Sequence, residues 1–176
     1  NADIATNITR ILQHKQKSSH LPDYTFINRH QQFVKFMTTK GKEFQTMLNR
    51  SIDPLISGSC APISTIAVKL LQKEGIHAVK AEGTFIREFH AFVIVNIDGS
   101  EYILDFAANQ FVPGVSPVLI PRDFAFINQK GRLSENGTSV YQVARYYPAN
   151  GVALAENEEA LIFRNLLDSL LLPSRR

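Results

Sequence analysis

Through the first half of the chain, apolar residues recur every three or four positions; later they alternate or run continuously. Ile4, Ile8, Ile11 and Leu12 fall on one side of a helix predicted from Ile4 to about Lys17, which KSSHLPD ends. A second helical stretch, Asn28–Leu48, carries Phe33, Val34, Met37, Phe44, Met47 and Leu48 as its apolar stripe, with Gly41 as the expected interruption. NRSIDPLISGS reads as a loop of turn-forming residues. The clearest helix is Cys60–Glu74. Ser59 is a good N-cap, Pro62 sits in the first turn where its missing N–H does no harm, and Gly75 is a natural stop. Ile66, Leu70 and Leu71 form its buried side.

Strand signals follow at Ile76–Ala81, at the β-branched and aromatic run Phe89–Ile97, and at Glu101–Phe106. Asp98-Gly99 between the last two is a two-residue hairpin signal. Val118–Ile120 and Val140–Arg145 are short strand candidates, and Glu156–Leu172 reads as an amphipathic helix closed by Pro173. No repeat or linker divides the chain. The expected organisation is one α+β domain over residues 1–176: a helical part to residue 56, a cysteine helix with a β-sheet core over 57–150, and a terminal helix over 151–176.

Composition narrows the function classes. The formal charge is +3, with basic residues spread from Arg10 to Arg176 and no dense block, which disfavours a nucleic-acid partner. No apolar run reaches membrane-spanning length, and Asp168 interrupts the Leu-rich end, so no membrane insertion is expected. The chain opens on Asn1 and is read as a processed or excised piece, whose address signals can lie outside it. A single cysteine excludes an internal disulfide, and the five histidines lack ligand spacing, so neither metal nor cofactor is expected.

That cysteine, Cys60, stands where chemistry is favoured. A thiol on the first residue of a helix lies beside unpaired N–H groups and the positive end of the helix dipole, both of which favour thiolate. The plain alternative is a small core residue. Of the histidines, His14, His20 and His30 lie in polar stretches, and His77 follows the far end of the cysteine helix. His90 interrupts an apolar strand. If Asp98-Gly99 form the turn, Ile97 faces Ser100, Val95 faces Tyr102 and Phe92 faces Asp105. His90 and Phe92 share a face, so Asp105 lies one diagonal step from His90, within side-chain reach. A carboxylate there fixes the imidazole tautomer and stabilises its charged form. The competing reading makes Asp105 a turn residue before FAANQF. Cys60, His90 and Asp105 together form the nucleophile, base and orienter of a cysteine acyl-transfer centre.

GSCAPISTIAVKLLQKEG resembles the cysteine helix, and FHAFVIVNIDGSEYILDFAANQF the histidine hairpin, of the papain-like/transglutaminase-like cysteine superfamily. The likeness is closest to bacterial papain-fold toxin and effector domains, several of which are protein-glutamine deamidases. It covers Ser57–Phe111, about a third of the chain. It implies a papain-like fold, with Cys60 as nucleophile, His90 as base and Asp105 as orienter. Gln110 matches a trailing Gln to which no role is given. The Gln that papain places shortly before its nucleophile is missing here; Asn49 and the amides of Gly58 and Ser59 are the candidates for a second oxyanion donor.

The resemblance further implies a domain secreted by bacteria that acts on a protein in the cytoplasm of a target cell, with a cognate immunity protein as a possible partner. The expected reaction is deamidation of glutamine. Proteolysis and transglutamination use the same triad and stay open, as does a non-catalytic binding or delivery domain in which Cys60 is structural.

Overall fold

The computed structural model describes residues 31–51, 60–85, 88–108, 117–122, 126–127, 138–139 and 141–147, together with Asp168 and Leu170. The first predicted helix, Ile4–Lys17, lies outside these residues, as does Ser59. Of the terminal helix only Asp168 and Leu170 are described, both helical.

The stretch expected as one interrupted helix is two: α1, Gln31–Thr38, and α2, Lys40–Ser51. The break falls at Thr39 rather than Gly41. The hydroxyls of Thr38 and Thr39 bond back to the carbonyls of Val34 and Lys35 at 2.9 and 2.6 Å, competing with continuation of the ladder. Gly41 lies inside α2, where a Cβ would stand 3.2 Å from the Phe36 carbonyl; its role is close packing of the two helices. Helix α3, Cys60–Lys73, begins at the cysteine as expected. It ends in a Schellman arrangement: Ile76 N–H donates to the Leu71 carbonyl and Gly75 N–H to that of Gln72, both at 3.0 Å.

Among the described residues seven strands follow: β1 (Ala78–Phe85), β2 (Glu88–Ile97), β3 (Ser100–Asp105), β4 (Val118–Pro121), β5 (Phe126–Ile127), β6 (Thr138–Ser139) and β7 (Tyr141–Tyr146). Five form an antiparallel sheet in the order β4-β3-β2-β1-β7, while β5 and β6 pair separately. The β2–β3 register is the one the turn predicts, with Ile97 opposite Ser100 and Val95 opposite Tyr102. Asp98 and Gly99 take φ of 53° and 85°, as a two-residue turn of this hand requires.

Strand β2 is buried on both faces, which explains its continuous apolar run. Ala91, Val93 and Val95 point to the side where α1, α2 and α3 bring Phe33, Phe44, Ile66 and Leu71. Phe92 and Ile94 point to a second apolar cluster, with Phe85, Ile103, Ile120 and Tyr141. The architecture is α+β, with helices packed on an antiparallel sheet. Among the described residues, no helix is long and apolar enough to cross a membrane.

Candidate active site

The first residue of α3 and the third of β2 bring Cys60 to His90. The hairpin register then brings Asp105, the last residue of β3, to the other side of the imidazole. His90 Nε2 donates to Asp105 Oδ2 at 2.7 Å, and both side chains are fully buried. The diagonal contact expected from the hairpin is therefore made. The carboxylate also fills the turn role that competed with it: Oδ1 accepts from the Ala107 N–H at 2.9 Å. One oxygen shapes the chain after β3 while the other holds the imidazole.

A fourth side chain belongs to the group and has no warning in the sequence. The hydroxyl of Tyr141, at the start of β7, donates to Asp105 Oδ2 at 2.8 Å. Its ring packs edge-on against Phe85 and Phe92, each at 5.1 Å between centroids. Burial and the Asp105 charge push the phenol well above its ordinary range, so it remains a neutral donor. The sequence predicts a strand at Val140–Arg145, but nothing local links its tyrosine to a carboxylate 36 residues earlier.

The imidazole lies on the Phe92 side of β2, stacked on that ring at 6.0 Å and edge-on to Phe85 at 6.2 Å. Helix α3 covers the opposite side, that of Ala91 and Val93. The two reactive side chains thus do not meet within one helix–sheet interface. They come together at the start of β2, where His90 and the Ala91 backbone both act on the thiol.

The electrostatics follow from that contact. Burial pushes the Cys60 thiol up, and the Asp105 charge adds to this; the hydrogen bond and charge of His90, with the Ala91 N–H, outweigh both and leave it lowered. Burial pushes His90 down, but the charge and hydrogen bond of Asp105, then those of Cys60, raise it to about 9. Each partner favours the charged form of the other, the thiolate–imidazolium state of an activated cysteine. Cys60 is nevertheless only 4% exposed and belongs to the larger apolar cluster.

On the α3 side of the sheet, Glu82, which faces Ala91, accepts from Tyr147 Oη at 2.6 Å and from Arg145 Nε at 2.9 Å. Burial pushes Glu82 up, but these donors bring it below the usual carboxylate range. Phe89, beside His90, is 63% exposed, a large apolar surface at the site's edge. Of the oxyanion-donor candidates, Asn49 accepts from Gln45 Nε2 at 3.0 Å, and Gly58 and Ser59 lie outside the described residues, as does Gln110, to which no role is given. His77 sits past the far end of α3, where its carbonyl accepts from the Asn96 N–H, as its sequence position implies. Among the described residues, no three His, Cys, Asp or Glu side chains converge as metal ligands. Comparison with protein-family models, with curated protein sequences and with solved structures returned no match.

Proposed function

We propose that this chain is a cysteine-dependent amide hydrolase acting on a protein substrate, with Cys60 as nucleophile, His90 as acid–base and Asp105 as orienter in a papain-like arrangement. The observation that carries the reading is the imidazole held by Asp105 at 2.7 Å on one side while it lowers the Cys60 thiol on the other. A packed structural cysteine in an apolar cluster is pushed up by burial; this one is brought down against it.

In the reaction, the thiol proton rests on His90 and the sulfur attacks an amide carbonyl carbon. The C=O electron pair moves to oxygen. On collapse the C–N bond breaks, and the imidazolium proton goes to the departing nitrogen. Water, deprotonated by His90, then attacks the thioester and releases acid and thiol. With a glutamine side chain as the amide, ammonia leaves and glutamate remains. We favour this deamidation, and with it a domain secreted by bacteria that works in a target cell's cytoplasm and is restrained by an immunity protein, on the motif resemblance of Ser57–Phe111. Phe89 is the surface on which a substrate side chain would rest.

The test is intact-mass analysis of candidate target proteins after incubation with the chain and with Cys60→Ala. The small mass gain of amide-to-acid conversion, lost in the variant, is the expected result. Crosslinked ladders or fragments would instead indicate transglutaminase or protease chemistry on the same triad. The second reading, a binding or delivery domain, draws on the 4% exposure of Cys60. It predicts that Cys60→Ala retains the chain's full effect on target cells.

A further inference from the structure

Lys80 is a buried cation that the triad does not use. It lies in β1 opposite Val93, on the face covered by α3, and is 9% exposed. Its Nζ donates to Thr65 Oγ1 at 3.3 Å and stands 5.0 Å from the centre of the Tyr147 ring. Thr65 in turn donates to the carbonyl of Ala61, the residue after Cys60, at 3.0 Å, which orients its oxygen lone pairs away from that carbonyl and toward the ammonium. Among the described residues no carboxylate lies within ion-pair distance of Nζ.

Burying an ammonium without a paired anion is costly, and such a group is ordinarily paired or discharged. Burial does push Lys80 down; the negative charges that oppose this are Glu82 and then Cys60, with Arg145 acting against them. Glu82 is already committed. Both its oxygens take donors, Oε1 from Tyr147 and Oε2 from Arg145, whose guanidinium lies at 2.8 Å. The other negative charge that acts on the ammonium is Cys60 once ionised, and Thr65, which holds the ammonium, bonds back to Ala61, the residue after Cys60.

We propose that Lys80 is a positioning residue of the Cys60 centre, its ammonium held by Thr65 and Tyr147 as a second counter-ion to the thiolate and to the oxyanion that forms from it. The proposal rests on the reading of Cys60 as the nucleophile. It assigns His90 the proton and Lys80 the field. A fixed cation held by Thr65, which bonds back to the residue after Cys60, favours the thiolate before attack and the oxyanion that replaces it afterwards.

The test is the pH dependence of Cys60 alkylation by iodoacetamide in the full chain, which needs no substrate. The groups that face the sulfur or the ammonium and contribute to the profile are His90, Asp105, Glu82, Arg145 and Tyr147, all unchanged in the variants. Lys80→Met is expected to slow alkylation by roughly tenfold on the acidic limb, as a thiol midpoint higher by about one pH unit requires. Lys80→Arg is expected to restore most of the rate. Lys80→Gln keeps a donor for Thr65 without the charge; it is expected to behave as Lys80→Met and serves should that variant fail to fold. An alkylation midpoint equal to wild type in both neutral variants overturns the role of Lys80 and leaves Cys60 an activated thiol. A wild-type midpoint in the ordinary thiol range, about 8.5, overturns the nucleophile reading and this one with it.

Discussion

The carboxylate of Asp105 holds three named donors: His90, Tyr141 and the Ala107 N–H. Because every donor is buried or backbone, the carboxylate has one available geometry, and the imidazole inherits it. Tyr141 bears only on the outer side of this arrangement. Tyr141→Phe keeps the ring contacts with Phe85 and Phe92 and removes one hydrogen bond to a charged group. It is expected to lower stability by about 1.5–3 kcal/mol, the range for such a bond, while keeping most of the activity proposed for Cys60, since His90 retains its partner. Urea unfolding and turnover measured on the same preparation check this. A loss of activity as deep as that of Cys60→Ala would mean that the phenol, not the carboxylate, sets the imidazole.

Strand β1 separates what is legible in the sequence from what is not. The hairpin is legible, because Asp98-Gly99 fix a register and alternation does the rest; the His90–Asp105 contact then follows from counting. The reach of β1 is not. The strand expected over Ile76–Ala81 instead runs over Ala78–Phe85, through Gly83. Gly83 is opposite His90 on one side and Val143 on the other, at a register shift in the β1–β7 ladder. A Cβ there would stand 1.7 Å from the Gln142 carbonyl oxygen. The ladder shifts register at Gly83 and continues to Phe85, which pairs with Tyr141, so the fourth member depends on a pairing of residues 56 positions apart that no local pattern encodes. Gly83→Ala must separate β7 from β1. It is expected to cost upwards of about 3 kcal/mol, more than Tyr141→Phe, because it removes ladder hydrogen bonds and the packing of Tyr141 together. Near-native stability in this variant, read from urea midpoints, would show that β7 does not depend on the bulge.

Global stability offers a readout of the Cys60–His90 pair that requires neither substrate nor reagent. His90 is raised from 6.5 to about 9, so alone it stabilises the fold fully below pH 6.5 and loses that contribution as pH climbs toward 9. Cys60 is lowered from 9.0, so its contribution has the opposite sense: present above 9.0 and lost as pH falls through its own lowered value. Above pH 6.5, over the range in which the lowered thiol is ionised and the imidazole still protonated, the folded pair holds one proton, on the imidazole, and the unfolded pair also holds one, on the thiol. Folding then neither releases nor takes up a proton, and the two contributions cancel. Cys60→Ala breaks the cancellation. Its folded state still favours the His90 proton through Asp105, though less than with Cys60 present, whereas its unfolded state holds little of it above pH 6.5. Stability of the variant must therefore fall as pH rises through this window, by about 1–3 kcal/mol in all, while wild type stays nearly level; a full proton difference between the two states is worth ~1.4 kcal/mol for each pH unit crossed. Only slopes are compared, so the constant loss from removing a packed sulfur does not enter. Parallel slopes for the two proteins would mean that the folded thiol keeps its proton at neutral pH, and the sulfur would then be core and nothing more.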